Sequence, residues 1–373
     1  MAELTTKRKV MYALIPSAVV CALGFVAVEV YIRQTSAYGY VTPETLRSMT
    51  PDYQPAVFAR QVIRQTPHRI VVNGEEQYRI NAHGYRGREF SASKPEGKIR
   101  IMFYGGSSVF DADSPGDNDW PHRVERMLRS DGFTNVEVIN AGVPGYSAAE
   151  AVGTLFAEGH LFAPDYVLLY DQWNDIKYFR SPKSLLREFV REDLGPDPRI
   201  TYQNGVDRIQ SRTSQLYVRL RARYYTWKLQ IGSEGARQGG DWASEISETA
   251  LRQYRLNMET FADIARNIGA VPILMLEARL VERDNTAQEK ERISYDYVLL
   301  THDALCTAFE RQDKIIYDVG RQKNLHVIDA TQQLSGRGEF FETSVHVNPT
   351  GSERLARLVA DDLAKILRAD VQK

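Results

Sequence analysis

Cysteine is nearly missing from this chain: 373 residues carry two, Cys21 and Cys306. That excludes a small scaffold stapled by disulfides. Cys21 lies inside an apolar run, so a bond to Cys306 would join that run to the remainder of the chain, and two free thiols are expected. An excess of charge of one sign is also missing. Lysine plus arginine (47) nearly balances aspartate plus glutamate (48), with no basic block. The footprint of a nucleic-acid binder is therefore absent, and nucleic acid is not an expected partner. Internal repeats and low-complexity tracts are lacking too, which excludes solenoids and arrays. What is present is 43% hydrophobic residues, enough for one large domain or two ordinary ones with a real core.

One apolar run is long. "KRKVMYALIPSAVVCALGFVAVEVYIR" is uncharged from Val10 to Val28, before a single Glu29. At about 1.5 Å per residue it matches a hydrocarbon core of about 30 Å. Lys7, Arg8 and Lys9 precede it and only Arg33 follows closely. The positive-inside bias then puts residues 1–9 in the cytoplasm, a transmembrane anchor at 10–32, and the rest across a bacterial inner membrane, in the periplasm. A cleaved signal peptide is the competing reading. The run is long for one, and Ala18-Val-Val-Cys21 is a poor lipobox, so an uncleaved anchor is expected.

Residues 34–68 contain Pro and Tyr without a clean period and suit a stalk or linker. "RIVVNGEEQYRINAHGYRG" reads as a hairpin, Ile70 to Val72 and Tyr78 to Ile80 around an Asn73-Gly74 turn, with Gly84 and Gly87 closing a further turn. Residues 33–97 thus form a periplasmic linker and hairpin lead-in. From residue 98 to 373 short apolar strands alternate with amphipathic helices. Strands are expected at Arg100–Tyr104, Val136–Asn140, Tyr166–Tyr170, Pro272–Glu277 and His326–Asp329, and helices near Trp120–Ser130, Ala148–Glu158, Glu248–Ile268, Ile293–Lys323 and Thr350–Ala369. The pattern predicts an α/β fold, a three-layer α/β/α sandwich with a mainly parallel, flavodoxin-like sheet. An insertion at about 179–240 breaks the alternation. Its segment "RTSQLYVRLRARYYTWKLQ" puts Leu216, Leu220, Tyr224 and Trp227 on one helical face, with Arg219, Arg221, Arg223 and Lys228 mostly off it. Such a helix can lie on a membrane or a partner, but more often covers its own domain.

Chemistry gathers at strand ends. "IRIMFY" runs into "GGSSVF", delivering Ser107 at the C-terminal edge of the first sheet strand, where ligands collect in parallel sheets. Alone, Gly-Gly-Ser-Ser can be just a tight turn with a helix cap. Three later segments strengthen it. "VINAGVPGYSA" offers the Gly145 N–H. "VLLYDQWNDI" offers the Asn174 amide, although Asn after a strand is commonly a turn residue. "ETSVHVNPTGSER" offers His346, which could reach Ser107 as general base.

Together, "GGSS", "NAGVPG", "QWND" and "TSVH" resemble the four blocks of the SGNH, or GDSL-type, hydrolases over about Ile80 to Leu367, the insertion excluded. "INAHGYRGREF" resembles the lead-in of many bacterial members. The resemblance implies acyl-ester hydrolysis through an acyl-serine. Ser107 would be the nucleophile and His346 the base, with an oxyanion hole from the N–H groups of Ser107 and Gly145 and the Asn174 side chain. Each donor in such a hole is worth about 3–4 kcal/mol. The resemblance implies no metal and no organic cofactor.

The departures are specific. Where the family has an acid three residues before the histidine, this chain has Thr343, and Glu342 is one residue off register. Gly106 stands where many members have aspartate. Gln172 replaces the usual glycine and is expected to crowd Asn174. A histidine oriented by Thr343, by Glu342, by a backbone carbonyl or by a displaced acid such as Asp329 could still work. Three readings therefore stay open. One is an anchored periplasmic serine esterase acting on acylated glycan, lipid or small esters. Another is a catalytically degenerate domain acting as a structural or accessory subunit of an inner-membrane complex, respiratory or photosynthetic for instance. The last is a non-catalytic binding module using the same cleft.

Overall fold

Runs of Val, Ile, Leu and aromatic residues buried on both faces are what a parallel sheet requires, and the chain places five of them side by side. A computed structural model of the protein describes residues 6–35, 68–72, 75–180, 202–237 and 242–371. The strands are β1 (His68–Val72), β2 (Glu75–Ile80), β3 (Ile99–Gly105), β4 (Val136–Gly142), β5 (Tyr166–Tyr170), β6 (Val271–Leu276) and β7 (His326–Asp329). β1 and β2 pair antiparallel as the expected hairpin, whose Asn73-Gly74 turn lies outside the described residues, as does most of the stretch 34–68. The other five strands form one parallel sheet in the order β4-β3-β5-β6-β7. Counted from β3, that is the 2-1-3-4-5 order of flavodoxin-like folds, with its switch point between β3 and β5.

Other short helical segments aside, the helices that frame the sheet, its site and the N-terminal unit are α1 (Thr6–Thr35), α2 (Ser107–Phe110), α3 (Trp120–Ser130), α4 (Ala148–Thr154), α5 (Trp173–Ile176), α6 (Gly205–Thr213), α7 (Gln215–Arg237), α8 (Glu248–Asn267), α9 (His302–Lys323) and α10 (Pro349–Val371). α3 packs with α10 and β4, while α8 packs with α4, α9 and β6, giving a helical layer on each face of the sheet. Helical spacing sets the contact faces. Trp120, Val124 and Leu128 of α3 are fully buried, as are Phe261, Ala262 and Ala265 of α8. Each large apolar side chain so buried stabilises the fold by about 1.5–3 kcal/mol.

Two helix expectations need correction. The run Ile293–Lys323 is broken: Tyr295–Val298 is a single turn, and Leu299 takes a left-handed φ of 54°. Thr301 then caps α9 by accepting from the Ala304 N–H. The helix after Ser147 keeps α geometry only to Thr154, then passes through a π-helical segment, Leu155–Gly159.

The chain divides into two compact units, one of residues 1–48 and 194–236 and the other holding the sheet. Of the insertion, residues 181–201 and 238–241 lie outside the described residues, and its two helices, α6 and α7, group with α1. α1 is long and apolar enough to cross a membrane, with a candidate span Ile15–Thr35 of mean hydropathy 2.0. On α7, Leu220, Tyr224 and Trp227 are 58%, 51% and 58% exposed.

Candidate active site

β3 ends at Gly105, a position that takes only glycine because a side chain there would meet the Tyr170 carbonyl oxygen at 2.2 Å. The chain turns, and Ser107 opens α2 at the C-terminal edge of the sheet. After β7 the segment before α10 returns to the same edge. Its loop is fixed by the Leu280 N–H to the Ser344 carbonyl (2.8 Å), the Ser294 N–H to Ser344 Oγ (2.9 Å), and Arg292 donating to the Gly338 and Phe341 carbonyls. These bonds bring His346 Nε2 to 2.7 Å from Ser107 Oγ across 239 residues of sequence.

Behind the imidazole stands Thr343, whose Oγ1 is 2.9 Å from His346 Nδ1. A carboxylate only accepts, so it forces the proton onto Nδ1; a hydroxyl can accept or donate. With Thr343 accepting from Nδ1–H, Nε2 is left to accept the Ser107 proton, which is the tautomer a general base needs. Glu342 is exposed and meets His346 through the backbone, its N–H donating to the His346 carbonyl at 2.8 Å. Asp329 turns elsewhere and accepts from Tyr317 and from both the N–H and hydroxyl of Thr331. Burial pulls the His346 pKa below its usual value of 6.5, with the Asp113 carboxylate acting weakly in the other direction. The ring is thus held neutral near neutral pH.

Asn174, in α5 after β5, lies directly over Gly106. A Cβ on Gly106 would come within 2.2 Å of Asn174 Nδ2 and 2.8 Å of the Tyr146 carbonyl oxygen, so any side chain at 106 would displace the Asn174 amide. Asn174 Nδ2 donates one hydrogen to the Tyr146 carbonyl (2.7 Å), and its Oδ1 accepts from the Tyr297 hydroxyl (2.7 Å). The first bond fixes which end of the amide faces the serine turn, because a flipped amide would set its oxygen against the Tyr146 carbonyl oxygen, two acceptors with no hydrogen between them. Gly145 takes a left-handed φ of 84° on the cleft wall, and its carbonyl accepts from Lys177 Nζ at 3.3 Å. Lys177 is also 3.3 Å from the Tyr297 hydroxyl, and burial pulls its amine below the usual range.

Gln172 does not crowd Asn174, contrary to expectation. Its side chain is fully buried and turned away, accepting from the Glu277 N–H and donating to Asp313 at 2.8 Å. Glu277 in turn accepts from the N–H groups of Gln172 (2.9 Å) and Trp173 (2.7 Å). The end of β5 is thereby tied to the end of β6. Beneath it, burial pushes Asp175 up to about 8, although it accepts from the Ala148 N–H and so fastens α5 to α4.

Ser107, Gly145, Asn174 and His346 all line one cleft of about 940 Å³. Its walls include Trp173 stacked on Tyr297 and Trp242 stacked on Tyr295, with ring centroids 5.8 and 5.3 Å apart. Sequence reasoning missed Tyr297 and Lys177, since neither lies in a recognisable block and Tyr297 is 123 residues from Asn174. Among the described residues no cluster of His, Cys, Asp or Glu could hold a metal ion. Replacing Tyr297 by Phe is expected to lower kcat about tenfold while leaving KM nearly unchanged, the loss of one orienting hydrogen bond. Steady-state kinetics on an aryl ester checks this, and a change confined to KM would assign Tyr297 to substrate binding instead.

No protein-family profile and no curated protein matches the chain. Solved structures do resemble it. A lipase/acylhydrolase from Enterococcus faecalis is 17% identical, with 72% of this chain and 96% of that one covered and a TM-score of 0.43. A protein described as lipolytic and of the G-D-S-L family, from Desulfitobacterium hafniense, is 11% identical over 71% and 99%, with a TM-score of 0.40. A catalytic mutant of an acetylxylan esterase from Geobacillus stearothermophilus is 11% identical over 71% and 94%, with a TM-score of 0.42. The likeness is distant and one of fold, so the chemistry of this chain rests on the distances in its own cleft.

Proposed function

We propose that the chain is a membrane-anchored serine esterase that hydrolyses ester-linked acyl groups through an acyl-Ser107 intermediate. The observation that carries this reading is the 2.7 Å contact of Ser107 Oγ with His346 Nε2 at the open edge of a parallel sheet. As Ser107 Oγ attacks the acyl carbon, its proton passes to Nε2 and the carbonyl oxygen becomes an oxyanion. The N–H groups of Ser107 and Gly145 and the second hydrogen of Asn174 Nδ2 are the donors to it. Collapse expels the alcohol, which takes the proton back from His346. Water, deprotonated by the same nitrogen, then releases the acid and frees the serine.

The exposed rings of Trp242 and Tyr297 beside the cleft offer flat faces to a bulky alcohol portion such as an acylated glycan. Lys7, Arg8 and Lys9, which precede the apolar run, favour a cytoplasmic N-terminus and a periplasmic site. Thr343 favours a slow enzyme, and it is also the observation behind the rival reading, a degenerate domain serving as accessory subunit of an inner-membrane complex. Turnover of a short-chain aryl ester by the purified full-length protein tests the proposal. Activity lost in both Ser107→Ala and His346→Ala supports it; activity absent from the wild type, or retained in Ser107→Ala, overturns it.

A further inference from the structure

The last two turns of α1 are joined to the start of α7 by a polar clamp. Glu29, buried although the apolar residues on either side of it, Val28 and Val30, are exposed, accepts from the N–H groups of Gln215 (2.8 Å) and Leu216 (2.9 Å) and from the Ser214 hydroxyl (2.9 Å). Arg33 bonds Glu29 at 2.7 Å and donates to the Thr213 carbonyl at 2.7 Å. If Ile15–Thr35 spans a bilayer, this clamp sets the first turn of α7 at the level where α1 leaves the hydrocarbon.

The faces of α7 divide the chemistry. One side is built into the unit: Val218 is buried, and Arg221 pairs with Asp207 of α6 at 2.6 Å, a carboxylate that also accepts from the Tyr217 hydroxyl. The other side carries Leu220, Tyr224 and Trp227, at the i, i+4, i+7 spacing of a single stripe and all more than half exposed. At about 100° per residue, Arg223 and Lys228 fall on the two flanks of that stripe, and both are exposed. An apolar stripe containing Tyr and Trp, bordered by cations and fixed at the mouth of a membrane span, has the composition of a helix lying in the headgroup region.

We propose that α7 lies in the interface of the same bilayer that α1 crosses, its Leu220–Tyr224–Trp227 stripe among acyl chains and its basic flanks on anionic headgroups. The inference rests on reading α1 as a membrane span. It gives the clamp a role: Glu29 and Arg33 hold the helix flat at the surface, where the anchor alone would leave it free.

The test uses the full chain in proteoliposomes containing phosphatidylglycerol, with lipids brominated near the headgroup end of their acyl chains as contact quenchers. Subtracting the emission of Trp227→Phe isolates Trp227 from Trp120, Trp173 and Trp242. The Trp227 component is expected to be quenched by these lipids, and to lose that quenching in Arg223→Glu/Lys228→Glu. Quenching equal in wild type and Trp227→Phe overturns the proposal. If Trp227 becomes shielded only after membrane-protein extract is added, the stripe belongs to a protein partner and the proposal also fails. Cys21, exposed on α1, separates the two claims, since Cys306 is buried. Labelling of Cys21 by an aqueous maleimide in sealed vesicles refutes the span itself, whereas a protected Cys21 with an unquenched Trp227 refutes only the interfacial helix.

Discussion

Thr343→Asp is expected to raise ester turnover by about 10²–10⁴-fold, the reverse of what removing the aspartate costs a serine protease triad. The reason lies in what the hydroxyl 2.9 Å from His346 Nδ1 cannot do. It accepts a hydrogen bond and so permits the productive tautomer, but it permits the other as well, and it offers no negative charge to the imidazolium that forms as Ser107 attacks. A carboxylate at 343 supplies both. Thr343 is only half-buried, which leaves an aspartate room to swing onto Nδ1. Thr343→Asn separates the effects, since its amide matches aspartate in shape without the charge and should recover little. Thr343→Val, which has no hydroxyl, should fall below the wild type.

The pH profile gives an independent reading of the same substitution. A base works when neutral, and burial holds His346 below 6.5, so wild-type activity should persist as pH falls to that lowered value. A carboxylate beside the ring favours the charged form and raises its pKa. The acid limb of the Thr343→Asp profile should therefore move to higher pH. A faster variant whose acid limb stays in place would mean that the new carboxylate acts other than through His346.

Arg86→Met is expected to destabilise the fold by about 3–5 kcal/mol, the penalty for removing one partner from a buried ion pair. Arg86 is fully buried in the turn after the hairpin. Its guanidinium donates to the carbonyls of Phe110, Asp111, Ser114 and Gly116, the loop that follows the α2 serine turn, and lies 3.4 Å from Asp119. Methionine fills much of the volume but leaves four carbonyls and a buried carboxylate without it. Although burial works to raise it, the Asp119 pKa is held at about 2 by His122 and Arg86. A depressed acid stabilises the fold above its unfolded value and loses that contribution as pH falls toward 2. The variant should therefore lose stability most at neutral pH and differ least from wild type in strong acid, as equilibrium denaturation at several pH values would show.

This also explains the lead-in "INAHGYRGREF". Asn81 Oδ1 accepts from the N–H groups of His83 and Tyr85, building the tight turn that aims Arg86 inward, and its amide donates to the Arg88 carbonyl. The motif shapes the floor of the serine loop and puts no group of its own into the cleft.

The sheet was readable because buried parallel strands are unbroken apolar runs: all five fall within two residues of their expected positions at either end. Ser107, Gly145, Asn174 and His346 could be placed at one edge because each follows a strand end, and α/β topology gathers those ends. Other features left no local trace. The break before α9 depends on Ser294 being held by the Ser344 hydroxyl, a contact 50 residues away. Gln172 was expected in the cleft from its place in a block, yet its amide is drawn to buried partners on Glu277 and Asp313. Tyr297 reaches Asn174 by a hydrogen bond that spans 123 residues and that only the tertiary fold creates. Glu29 looked like a stray charge ending an apolar run, and its partners lie 185 to 187 residues further along.

The acyl-serine claim is tested most directly by treating the purified full-length protein with a fluorophosphonate and locating the adduct by peptide mass spectrometry. The account predicts modification of Ser107, slowed sharply in His346→Ala and accelerated in Thr343→Asp. An unmodified Ser107 in folded protein, under conditions that label a serine protease to completion, would contradict it.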